Sequence, residues 1–266
     1  MRVLIIGGTG TLGRPTAIAL ARQGATVRLL SRRASPGASE FEQVRGDVVT
    51  GEGLAVAMQD VDVVVHAAHD PTRPARDLAG VRNVVAATRD AKAQQLVYVS
   101  IVGAAAVPSV PFYRAKAQGE RLVANAPVRS STFRASQFHE FVSQTLRRLD
   151  RLPILPVPAG ARFQPVAVAE VAAALTRHVL HGGPDTLVGP EVLDFEDLVE
   201  AWQSARGRTR RVVPFSLPHP ALRALAAGAL TSPDAPRSVQ RWSEWLLEAE
   251  VTSKKPPRGT ERPTPR

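Results

Sequence analysis

The first thirteen residues leave this chain few folds to choose from. Val3-Leu4-Ile5-Ile6 is a short apolar run fit for a strand buried on both faces, and it stops abruptly at Gly7-Gly8-Thr9-Gly10-Thr11-Leu12-Gly13. An apolar helical pattern follows through Leu12, Ile18, Ala19 and Leu20. Glycines at 7, 10 and 13 let the backbone turn tightly, let a pyrophosphate come close, and let the helix pack against the strand. Amide groups at the start of that helix, together with its dipole, favour negative charge. Gly8, Thr9, Thr11 and Leu12 complete the expected phosphate cradle, and Arg14 stands just past it. A glycine triplet alone is weak evidence; the order strand, loop, helix is the context that gives it meaning.

The next hundred or so residues repeat that alternation. Val27–Leu30 reads as a second strand, Phe41–Arg45 as a weaker third ending at Gly46-Asp47, Val61–His66 as a fourth, and Leu96–Ser100 as a fifth. Helices are expected between them, most clearly Leu78–Ala91. A sixth strand, Ser130–Arg134, follows a helix that begins near Phe112. The fold class is therefore α/β, a doubly wound parallel sheet. From about residue 136 the pattern loosens into a small C-terminal lobe expected to wall a substrate pocket. Pro153, Pro156 and Pro158 mark a connection there. Helices are expected over Val168–Leu180 and Asp194–Ala205, a strand over Val212–Phe215, and a last helix carrying Trp242, Trp245 and Leu246. Residues 1–250 form one domain in this reading.

Charge and composition narrow the function classes. The net charge is +10, but much of it is terminal: Lys254, Lys255, Arg258, Arg262 and Arg266 face only Glu261 in a stretch that also holds four prolines. With almost nothing apolar to bury, residues 252–266 are expected to be a disordered basic tail. A second cluster, Arg206-Gly207-Arg208-Thr209-Arg210-Arg211, reads as a solvated loop between a helix and a strand. Neither cluster interleaves aromatic residues, so specific nucleic-acid binding is not expected. No segment approaches the roughly 18 uninterrupted apolar residues of a membrane span, and no membrane partner is expected. The absence of cysteine excludes disulfides and thiolate chemistry and fits a cytoplasmic protein. A homodimer is compatible with all of this.

Six short motifs carry a family resemblance. They are the glycine loop at 7–13, Gly46-Asp47 after strand three, His66-Ala67-Ala68 after strand four, and Val99-Ser100-Ile101-Val102-Gly103 at strand five. Phe112-Tyr113-Arg114-Ala115-Lys116 and Phe133-Arg134-Ala135-Ser136-Gln137-Phe138 complete the set. Over roughly residues 1–250 the chain resembles short-chain dehydrogenases/reductases of the extended or atypical type, close to the NmrA-like NAD(P)-binding group. The resemblance implies a Rossmann-type fold, with Asp47, Val48, Ala67 and Ala68 around the adenine and its ribose.

Which dinucleotide is favoured turns on the end of strand two. An NAD-preferring site places a carboxylate there for the ribose 2′-hydroxyl. This chain has Ser31-Arg32-Arg33 and no carboxylate until Glu40. Arginine grips phosphate through charge-assisted, bidentate hydrogen bonds, so Arg32, Arg33 and Arg14 point to NADP(H) over NAD(H).

The resemblance also implies a catalytic set: a Ser after strand five that holds a carbonyl, a Tyr acid, and a Lys four residues later that lowers the Tyr pKa and binds the nicotinamide ribose. Ser100 and Lys116 match the first and last. Counting back four from Lys116 gives Phe112, which has no proton to donate; Tyr113 is the nearby hydroxyl. Position i+3 is also a helical neighbour, so a shifted tyrosine, another acid, or no chemistry at all stay open. His139 after strand six and His69 after the alanine pair are the other acids near the expected crevice mouth.

No zinc-binding spacing, no P-loop ending and no Gly-x-Ser-x-Gly is present, which argues against metal, ATP and α/β-hydrolase chemistry. The expected function is NADP(H)-dependent hydride transfer to a carbonyl or activated double bond of a small organic substrate. The alternatives are a non-catalytic NADP(H)-binding regulator, favoured by Phe112, and an NAD-dependent epimerase or dehydratase.

Overall fold

A computed structural model describes residues 1–32 and 40–254, with the backbone alone for 250–254. Arg33 and residues 255–266, most of the expected tail, lie outside the described residues. In chain order the first half runs β1 (Arg2–Ile6), α1 (Gly13–Arg22), β2 (Thr26–Ser31), β3 (Glu42–Arg45), α2 (Leu54–Ala57), β4 (Val63–His66), α3 (Pro74–Asp90), β5 (Gln95–Ile101), α4 (Pro111–Ala124) and β6 (Ser130–Ala135). The second half runs α5 (His139–Leu149), β7 (Leu155–Pro158), β8 (Arg162–Phe163), α6 (Val168–His181), β9 (Thr186–Leu187), β10 (Leu193–Asp194), α7 (Phe195–Ala205), β11 (Val212–Phe215), α8 (Pro220–Ala226) and α9 (Trp242–Lys254).

Seven strands form one parallel sheet in the order β3-β2-β1-β4-β5-β6-β9. The chain leaves β1 in one direction for β2 and β3, then returns to build outward through β4, so the order reverses between β1 and β4. That is the doubly wound fold, and its crevice opens at the carboxyl ends of those two strands. Because successive strand residues point to opposite faces, the sheet supports two cores. Val3, Ile5, Val65 and Val97 pack on the side of α1 and α6, whereas Leu4, Ile6, Val64 and Leu96 pack on the side of α3 and α4. The one charged residue inside β2, Arg28, pairs with Glu42 at 2.8 Å and donates to the Ala57 and Gln59 carbonyls, tying β3 and α2 to the sheet edge.

A third core, built on Leu146, Leu155, Leu198, Trp202 and Trp242, belongs to the C-terminal lobe. Here the structure departs from the sequence expectation. The proline-marked connection contains β7, paired in parallel with β11. In this pair Pro156 and Pro158 do not interrupt a central ladder, because prolines are tolerated on edge strands. Two buried amides fasten lobe to sheet. Gln137 just after β6 donates to the Leu230 carbonyl and accepts from the Gln164 amide, and Gln164 donates to the Gly189 carbonyl while accepting from Ser232. The last helix continues through Lys254, past the expected start of the tail. Among the described residues no helix is long and apolar enough to cross a membrane.

Candidate functional site

The glycine loop is built as its sequence requires. Gly7 adopts φ +87°, and a Cβ there would stand 2.7 Å from the Ala68 backbone nitrogen. A Cβ on Gly13 would collide with the Gly7 carbonyl oxygen, so only glycine lets α1 start this close to the loop. The Gly10 amide closes the turn onto the Gly7 carbonyl at 2.9 Å, while Thr11 and Leu12 donate their amides to no backbone carbonyl among the described residues. Leu12 caps α1 without a side-chain hydrogen bond, and Thr9, Gly10, Thr11 and Arg14 are exposed. Free amides, small residues and an uncapped helix end suit a pyrophosphate.

Around this loop the other expected cofactor residues assemble. Ala67 and Ala68 leave β4 directly against Gly7. Asp47 accepts from the Val49 amide at 2.8 Å, and Asn83 of α3 donates to the Val48 and Val49 carbonyls at 2.8 and 2.9 Å, so the turn after β3 is held in place. Asn83 was not expected from the sequence. Arg32 is exposed one residue past β2, on the strand whose Leu29 packs against Gly8.

At the carboxyl end of β5 the character changes from backbone to side chain. Ser100 is buried and its Oγ has no partner. Lys116, reached from α4, is also buried; its Nζ donates to the Val99 carbonyl at 3.2 Å and lies 4.8 Å from the centre of the Tyr98 ring. Burial pulls the Lys116 pKa below the usual lysine range, and the charges of Asp77 and Glu120 oppose that pull. Asp77, in the first turn of α3, is buried with Oδ2 unpartnered, and burial raises its carboxyl pKa. His66 ends β4 beside Tyr98, both ring nitrogens unpartnered; burial first and Lys116 second hold its pKa down at about 3. Sequence reading passed over His66, Asp77 and Tyr98, although a polar residue closing an apolar strand is a signal. His69 stands in the crevice, open to solvent on one side but ringed by protein; that desolvation, then Lys116, lowers it to about 4.

The two aromatic residues that sequence left undecided touch each other, ring centres 5.7 Å apart, but have different further neighbours. Phe112 turns to His69, ring centres 5.9 Å apart. Tyr113 packs with Val107, Ala221 and Leu230, towards α8. Burial pushes the Tyr113 phenol up. His139 corrects an expectation. It is not at the crevice mouth but fully buried, its ring 5.5 Å from both Trp242 and Trp245 and neither nitrogen partnered. A proton donor must reach its substrate, and this ring is walled off by α9.

The arrangement fits a dinucleotide: a cradle that a Cβ would fill, free amides, and an orphaned hydroxyl and an ammonium buried at the strand ends. The family model described as NAD(P)H-binding matches residues 7–148. The chain belongs to the NAD(P)H-binding family. Membership agrees with the expected extended short-chain dehydrogenase/reductase type. Among relatives of this family, the photosystem II assembly factor Ycf39 of Synechocystis sp. is 34% identical over 136 residues, covering 47% of this chain and 41% of that protein. The 4-hydroxy-2-methyl-3-oxo-4-farnesyl-3,4-dihydroquinoline-1-oxide ketoreductase of Stigmatella aurantiaca is 34% identical over 157 residues, covering 48% and 47%. The chain thus spans less than half the length of these curated relatives. An NADPH-dependent quinone oxidoreductase of Escherichia coli shares the fold with a TM-score of 0.75 at 16% identity, over 93% of this chain and 99% of that one.

Proposed function

We propose that this NAD(P)H-binding chain is an NADP(H)-dependent oxidoreductase that reduces a carbonyl or activated double bond of a small organic substrate. The observation that carries this reading is the pair Ser100 and Lys116, both buried at the carboxyl end of β5. Leaving a buried hydroxyl without a partner costs about 1–3 kcal/mol, and a fold that only binds a nucleotide needs the Lys116 ammonium for the ribose but gains nothing by keeping the Ser100 hydroxyl. A substrate carbonyl oxygen would accept the Ser100 hydrogen bond, and the Lys116 ammonium would hold the nicotinamide ribose. The bound cofactor supplies the hydride, and the protein supplies orientation, a proton and exclusion of water. Tyr113, with its phenol pushed up by burial, stays protonated through neutral pH and is the phenol nearest in sequence to the family position. Arg32, and Arg33 outside the described residues, support NADP(H) over NAD(H). The apolar side chains of the lobe support a small organic substrate.

One observation favours a second reading. Phe112 occupies the position four before Lys116 and faces His69, and Tyr113 packs against Val107, Ala221 and Leu230. On that ground a non-catalytic NADP(H)-responsive regulator is the rival. The deciding experiment is NADPH oxidation over a panel of ketones, quinones and enones, with the parent and Tyr113→Phe. The reductase reading expects turnover on at least one class and a loss of about 100-fold or more in Tyr113→Phe with NADPH affinity retained. NADPH binding with no oxidation on any class replaces it with the regulator.

A further inference from the structure

The arginine loop at 206–211 runs between α7 and β11, largely exposed as expected, and is also ion-paired to a second segment. Arg208 pairs with Asp150 at 3.4 Å, and Arg210 pairs with the same carboxylate at 3.6 Å while donating to the Asp150 and Leu152 carbonyls. The Leu155 amide donates to the Arg211 carbonyl at 2.9 Å, where β7 and β11 begin. The loop is thereby fastened to the end of α5 and the turn after it, Arg147-Arg148-Leu149-Asp150-Arg151-Leu152-Pro153-Ile154.

That juxtaposition makes one surface. Arg147, Arg148, Arg151 and Arg211 are exposed and form no ion pair with a described residue, and Asp150, the carboxylate within this turn, is already shared by Arg208 and Arg210. Among these cations stand Leu152 and Ile154, 43% and 38% exposed, with the exposed Pro153 between them. Arg147 and Arg148 also complement the carboxyl end of the α5 dipole. That role accounts for neither Arg151 and Arg211 nor the outward aliphatic side chains.

We propose that this face, where the α5 C-terminus and the 206–211 loop bracket Leu152 and Ile154 with arginines, seats the chain on an anionic lipid surface. Clusters of four or more basic residues are drawn to anionic headgroups, and aliphatic side chains beside them enter the headgroup–acyl boundary. Nucleic-acid grooves instead set cations among aromatic rings for base stacking, and the apex of this face is aliphatic. The proposal revises the expectation of no membrane partner, which rested on the lack of a spanning segment. It is independent of the oxidoreductase reading.

Co-sedimentation of the full chain with vesicles tests it, comparing phosphatidylcholine alone with mixtures about one-third phosphatidylserine. Binding should require phosphatidylserine and weaken as salt rises. The variant Arg147→Gln/Arg148→Gln/Arg151→Gln should bind about tenfold more weakly or worse. Leu152→Ser/Ile154→Ser should keep the low-salt attraction and lose the part that survives high salt. Melting curves and circular dichroism matching the parent establish that each variant folds; should the triple variant not fold, Arg211→Gln alone must still weaken binding measurably. Three results overturn the proposal: no binding to phosphatidylserine vesicles, unaltered binding by the arginine variants, or no effect of the aliphatic pair. In the last case, equal arginine-dependent binding to RNA or an acidic protein would assign the face to another polyanion.

Discussion

His66 and His139 are both buried with neither ring nitrogen partnered, yet they keep unlike company. His66 closes a central strand and shares its surroundings with Tyr98, Lys116 and, through Lys116, Asp77. His139 opens α5 in the C-terminal lobe and is walled by two stacked indoles. The same costly event, a polar ring taken from water without a partner, occurs at the edge of a crevice in one case and inside a core in the other. Burial alone therefore does not mark a site. A nearby buried charge, an open face and an orphaned hydroxyl such as that of Ser100 do.

The largest test of that contrast is Lys116→Ala. In the proposed oxidoreductase it should lower turnover by about 100- to 10,000-fold and weaken NADPH as well. Because the Lys116 charge depresses His66 and His69, both should titrate higher in the variant, while His139, which Lys116 does not influence, should keep its value near 4. Histidine resonances followed by NMR against pH would show it; a moving His139 would erase the distinction between the regions.

Acid should next reveal what the two rings share. Their folded pKa values, about 3 and about 4, lie below the unfolded value of 6.5. Between those limits the unfolded chain binds more protons, so stability is complete above 6.5 and is lost as pH falls towards 4. By pH 5 each ring should contribute roughly 2 kcal/mol of that loss. His139→Phe should flatten the acid limb of the melting temperature without touching NADPH affinity. His66→Phe should flatten it and disturb binding too. Equal effects on binding would place both histidines in one functional unit.

A smaller effect is expected at the loop itself. Gly13→Ala forces a methyl group onto the Gly7 carbonyl and should cost about 1–3 kcal/mol in denaturant melts, with cofactor affinity falling alongside. Unchanged melting would mean that α1 can slide away from the loop. The smallest is Arg32→Ala, an exposed cation beside the crevice. It should narrow any preference for NADPH over NADH by roughly two- to fivefold at low salt. Equal affinity of the parent for the two cofactors would remove the basis for the preference altogether.

Much of the sheet was legible because its signals are local. Val3–Ile6 and Leu96–Ser100 are apolar runs between breakers, and the helices beside them carry their own period. The lobe was less so: β7 hides among prolines that mark a loop everywhere except at a sheet edge, and Gln164, which knits lobe to sheet, has no local signature at all. The site divides the same way. Gly7, Gly13 and Ala68 announced a dinucleotide loop, and Ser100 and Lys116 stood in their motif, whereas the motif could not say which of Phe112 and Tyr113 faces the crevice.

The sequence by itself determined the α/β class, the cradle at residues 7–13 and the residues able to carry charge and hydroxyl groups, because each depends on neighbours within a few positions. Only the tertiary structure decided that His139 is walled in, that Tyr113 packs towards α8, and that two arginine-rich segments share one face. Those outcomes rest on α9, α8 and the β7–β11 pairing. A side chain's surroundings are set by whichever distant segment packs over it, and in this chain nothing local to Arg147–Arg151 or His139 names that segment.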